Sequence, residues 1–276
     1  MKKYNIVLSP VGLLIPFIAS CFLLTACEKA EKYVGAKTEV ISYDEEIFEV
    51  SYPVNIEISG EIGNIEMYSW NEKTVKFEIT KRIKGYKEYD LNRELDNFKI
   101  EVKDSDENNI FFGWKYKGEK KNRGILDHSV DVTVYLPKRV ENIKCQLDIG
   151  KIKIYDDLKC NLFLELNMAN IEINKFQGKL YLKGDMSNLK ISEGLLSNGS
   201  EVKINMGNIN IKAGYETYGT YSFETKLGNI DLNIPSNSMI SFESSGYIQV
   251  NEFELQEYPT KIKLKSEMGR ICINKF

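Results

Sequence analysis

Four side chains at regular spacing are the first place to look for chemistry in this 276-residue chain: Asp148, Asn167, Asp185 and Asn205. A pair of carboxylates can share acid and base work on a glycosidic bond, and carboxylate with amide oxygens can hold Ca²⁺. If each residue stands on its own strand, one strand separates Asp148 from Asp185 and sets them about 10 Å apart, twice the strand spacing of ~4.8 Å. Inverting glycosidases hold their carboxylates roughly 6.5–9.5 Å apart. The column therefore reads as a surface polar ladder, and no enzyme activity is expected. With a single histidine, His128, any His-based metal site or triad would have to centre on that residue. The five cysteines contain no Cys-x-x-Cys pair, so zinc and dithiol redox chemistry are poorly supported. Neither metal nor cofactor is expected. Aromatic and basic residues meet in Trp114, Lys115, Tyr116 and Lys117, continuing to Lys120, Lys121 and Arg123. A basic loop with aromatics could engage anionic lipid heads or polymers outside a cell.

The elements that must carry these residues follow from composition and pattern. Apolar residues make up 42% and aromatics 11%, enough to fill a core. Lys2 and Lys3 precede an uncharged stretch from Tyr4 to Ala26 ending in Leu24-Thr25-Ala26-Cys27. A basic start and an apolar middle make an export signal over residues 1–26. Its end resembles a bacterial lipoprotein signal, which implies diacylglycerol on Cys27 and a chain held at the cell membrane, facing outside the cytoplasm. Two acyl chains suffice for stable anchoring. Without that segment 35 basic side chains, Lys2 and Lys3 having left the 37, face 40 acidic ones. Mild acidity argues against nucleic acid as a partner. Residues 27–45 are polar and without clear period, and read as a tether.

The chain beyond it repeats. Gly150-Lys151-Ile152, Ala169-Asn170-Ile171, Ser187-Asn188-Leu189, Gly207-Asn208-Ile209, Gly228-Asn229-Ile230, Gly246-Tyr247-Ile248 and Gly269-Arg270-Ile271 succeed one another at offsets of 18 to 23 residues, and Gly63-Asn64-Ile65 stands upstream. Such a period marks a repeat architecture. Strict alternation precedes each small residue, as in Ile143, Cys145, Leu147 and Ile149 or Leu162, Leu164, Leu166 and Met168, which predicts strands with these positions inward. The Met and Leu positions just before the corner, and Cys145, Cys160 and Cys272, are assigned to core or strand. Alternation resets at the Gly-Asn step, so the chain must turn a corner there. Glycine and asparagine tolerate the positive φ such a corner requires, which makes Gly63, Gly150, Gly207, Gly228, Gly246 and Gly269 the corner residues.

The fold class expected is all-β: a single-chain parallel β-solenoid of two-strand coils of ~20 residues, with a mixed N-terminal capping segment containing one short helix. A sandwich or meander is the alternative. Residues 46–140 hold the first repeat and the capping insert, and residues 141–276 the tandem repeats. Opposite charges side by side, Glu165 with Lys183 and Lys203 with Glu224, favour the parallel stack, although Lys183 beside Lys203 does not. Lys261, Lys263 and Lys265 would blunt the last edge.

Ile56 to Trp70 carrying Gly63-Asn64-Ile65, a long insert, Val130-Asp131-Val132-Thr133-Val134-Tyr135-Leu136-Pro137 and the tandem Gly-Asn-Ile copies together resemble the DUF4097 β-strand-repeat proteins, also called putative adhesins. The resemblance covers residues 50–276. It implies a solenoid-like all-β domain on the bacterial cell envelope, with roles in adhesion or envelope-stress signalling and no established reaction. Ala169, Ser187 and Tyr247 depart from the Gly-Asn pattern. The reading that results is a lipid-anchored, non-catalytic binding, adhesion or scaffolding module. An envelope-stress sensor is the alternative, and a polysaccharide-active enzyme ranks behind both. Its partner would be an envelope protein or a glycan, met through Phe163 and Tyr181 or through Trp114, Lys115, Tyr116 and Lys117.

Overall fold

The computed structural model describes residues 37–86, 90–106, 108–118, 124–254 and 256–276. Cys27, the export segment, Lys120, Lys121 and Arg123 lie outside the described residues. Among the described residues are seventeen strands and one short helix: β1 (Lys37–Glu49), β2 (Asn55–Trp70), β3 (Thr74–Tyr86), α1 (Leu91–Leu95), β4 (Phe98–Asp106), β5 (Asn109–Tyr116), β6 (Ile125–Pro137), β7 (Asn142–Lys159), β8 (Asn161–Gly178), β9 (Leu180–Met186), β10 (Leu189–Leu196), β11 (Glu201–Met206), β12 (Ile209–Lys212), β13 (Gly214–Tyr215), β14 (Thr220–Leu227), β15 (Ile230–Ile234), β16 (Ile240–Asn251) and β17 (Thr260–Lys275). The protein is all-β, as its alternating sequence predicts.

Each repeat folds as two arms joined at its corner. First arms pair parallel in the order β2, β7, β8, β9, β11, β14, β17, and second arms in the order β2, β7, β8, β10, β12, β15, β17. Register is that of the repeat: Gly150 lies beside Gly63 and Ala169 beside Gly150. Because β8 and β17 run through both arms, eight strands close a parallel barrel: β8, β9, β11, β14, β17, β15, β12 and β10. The remaining strands lie outside that ring. Its interior is aromatic-rich, with Phe176, Tyr221 and Phe223 fully buried among Leu and Ile.

Further strands cover the β2 end. β5 pairs with the first arm of β2 and β6 with the second, so two separate segments make one composite layer. β4 and β3 then add antiparallel on β5 and β6, and β1 on β3. β1 corrects the expected tether, whose residues 37–45 are strand. The physical reason is charge pairing: acid-rich β1 lies against Lys-rich β3, with Lys81–Asp44 at 2.6 Å and Lys76–Glu45 at 2.7 Å. A polar segment without apolar alternation can still be a strand when its neighbour supplies opposite charges at cross-strand positions.

The far end holds a second correction. β16 does not sit between β15 and β17; β17 pairs with β14 and β15, and β16 lies outside it. Burial explains the exchange, since β17 buries Ile262, Leu264, Ile271 and Ile273, whereas β16 is exposed from Glu243 to Gln249. Only the greasier strand can shield the layer beneath. Lys263 and Lys265 consequently do not blunt an edge but stand between strands, facing Ser222 and Glu224 on one side and Glu243 and Ser245 on the other.

Corners show why glycine recurs. Gly63, Gly150, Gly207, Gly228, Gly246 and Gly269 all have φ between 128° and 155°. At Gly150 an added Cβ would stand 1.7 Å from the Gly63 carbonyl oxygen, which points along the stack at the next corner. Asparagine serves a different purpose from the one its conformational tolerance suggests: among the described residues Tyr218 alone, apart from glycines, has positive φ. The side-chain oxygen of Asn188 accepts from the Asn208 backbone N–H (2.9 Å), that of Asn208 from Asn229 (2.9 Å), and that of Asn229 from Arg270 (3.1 Å). Corner amides that the bend removes from the β-ladder are thus satisfied by the asparagine one layer below.

Ser187 and Tyr215 end in buried hydroxyl oxygens without a partner among the described residues. An unpaired buried hydroxyl costs about 1–3 kcal/mol. Ser187→Ala is therefore expected to raise stability by about 1 kcal/mol, read as a later denaturant midpoint at unchanged slope. A loss of that size instead would show that the hydroxyl has a partner.

Candidate functional site

The expected polar column is real and forms one side of a long trough. Leu147, Leu166, Gly184 and Ile204 stack in register on neighbouring first arms, which carries Asp148, Asn167, Asp185 and Asn205 into one row. All four are exposed, and the Asn205 amide donates to Asp185 at 2.7 Å. On the same face, earlier in each arm, a second row runs Gln146, Glu165, Lys183, Lys203, Glu224 and Lys265. The Gln146 amide donates to Glu165 at 2.9 Å. Together with Ser59 and Glu61 these rows line a trough of about 1030 Å³. It crosses seven strands from β2 to β17, a length of about 29 Å at ~4.8 Å per strand.

Its charge is mixed. Five lysines and six carboxylates line it, interleaved along both rows. Lys265 and Glu267 pair at 2.9 Å, which raises the ammonium and lowers the carboxyl from their usual ranges. Lys203 is raised by the adjoining Glu201 carboxylate. Lys183 and Lys203 stand side by side, the like-charge contact that the sequence predicts. Donors and acceptors thus alternate on a scale of a few ångströms, and the floor between them is the strand backbone of residues whose side chains turn into the core, Leu147, Leu166 and Ile204 among them. Among the described residues no group of three or more His, Cys, Asp or Glu side chains could hold a metal ion.

The candidate contact residues separate into two fates. Lys144, Phe163, Tyr181 and Glu201 share one row, and the Phe163 and Tyr181 ring centroids are 6.5 Å apart. Tyr181 reaches the trough, while Phe163 borders a neighbouring hollow of about 380 Å³ with Glu57 and Lys144, themselves paired at 2.9 Å. Trp114 corrects the expected aromatic-basic loop. It is 3% exposed, packs on Phe112 and donates its indole N–H to the Ile62 carbonyl at 3.1 Å. Tyr116 is half-buried against His128, its hydroxyl donating to Glu94 at 2.8 Å. Burial and that carboxylate push the Tyr116 phenol up, and burial pulls the His128 imidazole down. Among the described residues of that group, only Lys115 and Lys117 are exposed. β5 explains the difference: it is an inner strand on β2, so its alternate residues must face the core.

Two surface features escape a reading of single residues. Tyr68 stacks on Tyr155 at 4.5 Å and lies beside Tyr135 at 5.7 Å, with Trp70 beyond. Glu66 accepts from both the Tyr68 and Tyr155 hydroxyls. The signal was available, since Tyr68 and Tyr155 each fall five residues after a corner glycine. The second feature is apolar. Alternation predicts Ile149, Met168, Met186, Met206, Leu227 and Met268 as inward, yet they are 38–69% exposed. In β7 burial passes from Leu147 directly to Ile152, so four residues round the corner on its outer side.

No family model matches the sequence, and no curated protein matches it. Solved structures do. One is a "putative cell adhesion protein" from Clostridium sporogenes, 12% identical, with a TM-score of 0.35 over 85% of this chain and 100% of that one. A second is a "putative adhesin" from Bacteroides fragilis, 16% identical, with a TM-score of 0.36 over 85% of this chain and 97% of that one. A third, from Parabacteroides distasonis and similarly named, is 14% identical, with a TM-score of 0.36 over 88% of this chain and 98% of that one.

Proposed function

We propose that this chain is a lipid-anchored, outward-facing envelope module that binds an extended, uncharged glycan in its trough without chemical turnover. The observation that carries the reading is the trough's lining: two rows of closely spaced donors and acceptors of both charge signs over a floor of strand backbone. Sugar hydroxyls donate and accept, so they are matched by such alternation. An anionic polymer would be matched by lysines in excess, and here carboxylates balance them. The open length of about 29 Å, at ~4.8 Å per strand, suits a linear chain better than a compact small molecule, which prefers an enclosed pocket. Asp148 and Asp185 are two strands apart, a spacing of about 10 Å that exceeds a hydrolytic pair. The anchor rests on the sequence alone, on Lys2, Lys3 and the run ending at Cys27. Within this reading the stacked arms are coils of one β-solenoid, whose flank is the trough.

Binding of the purified chain to neutral cell-wall polysaccharide, with anionic teichoic-type polymer alongside, tests it. Asp185→Ala combined with Asn205→Ala is expected to weaken neutral-glycan binding at least tenfold, about 1.4 kcal/mol, while leaving thermal stability unchanged. Binding that survives this change, or that prefers the anionic polymer and falls steeply with salt, would refute the assignment.

A further inference from the structure

The apolar ridge has a regularity that chance exposure does not produce. Ile62, Ile149 and Met168 lie side by side on successive layers, as do Met186, Met206, Leu227 and Met268. The line runs parallel to the stacking direction for about 29 Å, one side chain every ~4.8 Å. Between 38% and 69% of each residue from Ile149 to Met268 is exposed, which amounts to about 500 Å² of apolar surface. That equals the largest patch of an ordinary monomer, drawn out as a stripe. Methionine is enriched where protein surfaces meet, because its unbranched, polarisable side chain adapts to an opposing surface.

We infer that this ridge is a homodimer interface, in which two copies pack corner to corner with their stacks running in the same direction. Two facing ridges remove about 1,000 Å² from water before their flanks are counted, the lower bound for a specific interface. Charge selects the partner and its direction. On one side of the ridge the row before it carries Glu61, Asp148, Asp185, Lys226 and Glu267; on the other side the row after it is charged at Lys151 and Arg270 alone. Between these two the following row is uncharged: Asn170, Asn188, Asn208 and Asn229.

A two-fold axis along the stack sets the row before the ridge of one copy against the row after it of the other. Asp148 then meets the partner's Lys151, and Glu267 meets the partner's Arg270. A two-fold axis across the stack would instead set Glu61 against Glu267 at both ends and Asp185 against its own copy at the centre, with only Asp148 meeting an opposite charge, Lys226. Lys151 already pairs with Glu172 at 2.9 Å in an exposed bridge, so it stands oriented on this flank. The parallel arrangement is isologous, placing each ridge residue opposite its own copy.

That identity makes the test direct. In cells producing the full chain, Met206→Cys is expected to give a disulfide-linked dimer under mild oxidation, at least tenfold above wild type. Lys190→Cys, also exposed but on the second arm, should stay at the wild-type level. Cross-linking no greater for Met206→Cys than for Lys190→Cys overturns the interface. Sedimentation of the full chain in detergent supplies the second arm. Asp148→Lys should weaken the dimer about tenfold, and adding Lys151→Asp should restore it. Failure of the double exchange to restore association overturns the parallel arrangement. Asp148 and Glu267 also line the trough, so the Met206→Cys arm, which leaves that lining unchanged, distinguishes failure of the interface from failure of glycan binding.

Discussion

Gly150→Ala is expected to lower the stability of the fold by about 4 kcal/mol, or its thermal midpoint by roughly 10 °C for a domain of this size. Two causes add. With φ at +147° Gly150 occupies a conformation that costs an L-residue about 1–2 kcal/mol. An alanine methyl would also stand 1.7 Å from the Gly63 carbonyl oxygen and 2.8 Å from its carbon. Those atoms are backbone, held by the parallel ladder on both sides, so no rotamer change relieves the collision. β2 and β7 must move apart, and the shift propagates because Gly150 abuts Ala169 of the next layer. Ala169 provides the control. It occupies the equivalent corner with a buried methyl and without positive φ, so Ala169→Gly should cost only about 1 kcal/mol, mainly from added freedom in the unfolded chain. Thermal unfolding followed by circular dichroism compares the two. Equal effects would show that corner geometry is not what glycine supplies.

Trp114→Ala should cost about 3–5 kcal/mol, the range for removing a large aromatic from a core, whereas Lys115→Ala next to it should stay within about 0.5 kcal/mol. Trp114 lies over Gly60: a Cβ built there would be 2.0 Å from the indole ring. The bare backbone of Gly60 is what lets the ring in. A coupled test follows. Gly60→Ala alone should destabilise by about 2 kcal/mol, because the rigid ring cannot swing aside, yet in the Trp114→Ala background it should cost little or nothing. The double-mutant cycle then reports a coupling of about 2 kcal/mol between the two sites. Additive effects would mean that the ring does not occupy the space above Gly60. Were Trp114 an outward contact residue, its removal would spare stability and impair binding, the reverse of what its burial implies.

How much of this was legible follows from where each signal resides. The repeat, its register and the polar row of Asp148, Asn167, Asp185 and Asn205 could be read from residue order because parallel in-register stacking turns equal spacing in sequence into adjacency in space. Corner glycines were legible for the same reason. The role of corner asparagine was not, since its partner is the backbone amide of another layer, and conformational tolerance offered a sufficient local motive. The tether illustrates the opposite failure: residues 37–45 lack apolar alternation, and it is their pairing with β3, a sequence-distant strand that sets Lys81 and Lys76 near Asp44 and Glu45, that makes them a strand.

Local chemistry along the chain determined the all-β class, the position of the glycine corners and the outward polar rows. Tertiary structure alone decided that β17 lies inside β16, that β5 and β6 together complete one layer, that Trp114 faces inward and that the Met and Leu residues at the corners face out. The division has a physical basis. Strand formation and bending depend on residues within a few positions of one another, whereas burial depends on which sequence-distant surface has most to gain by being covered.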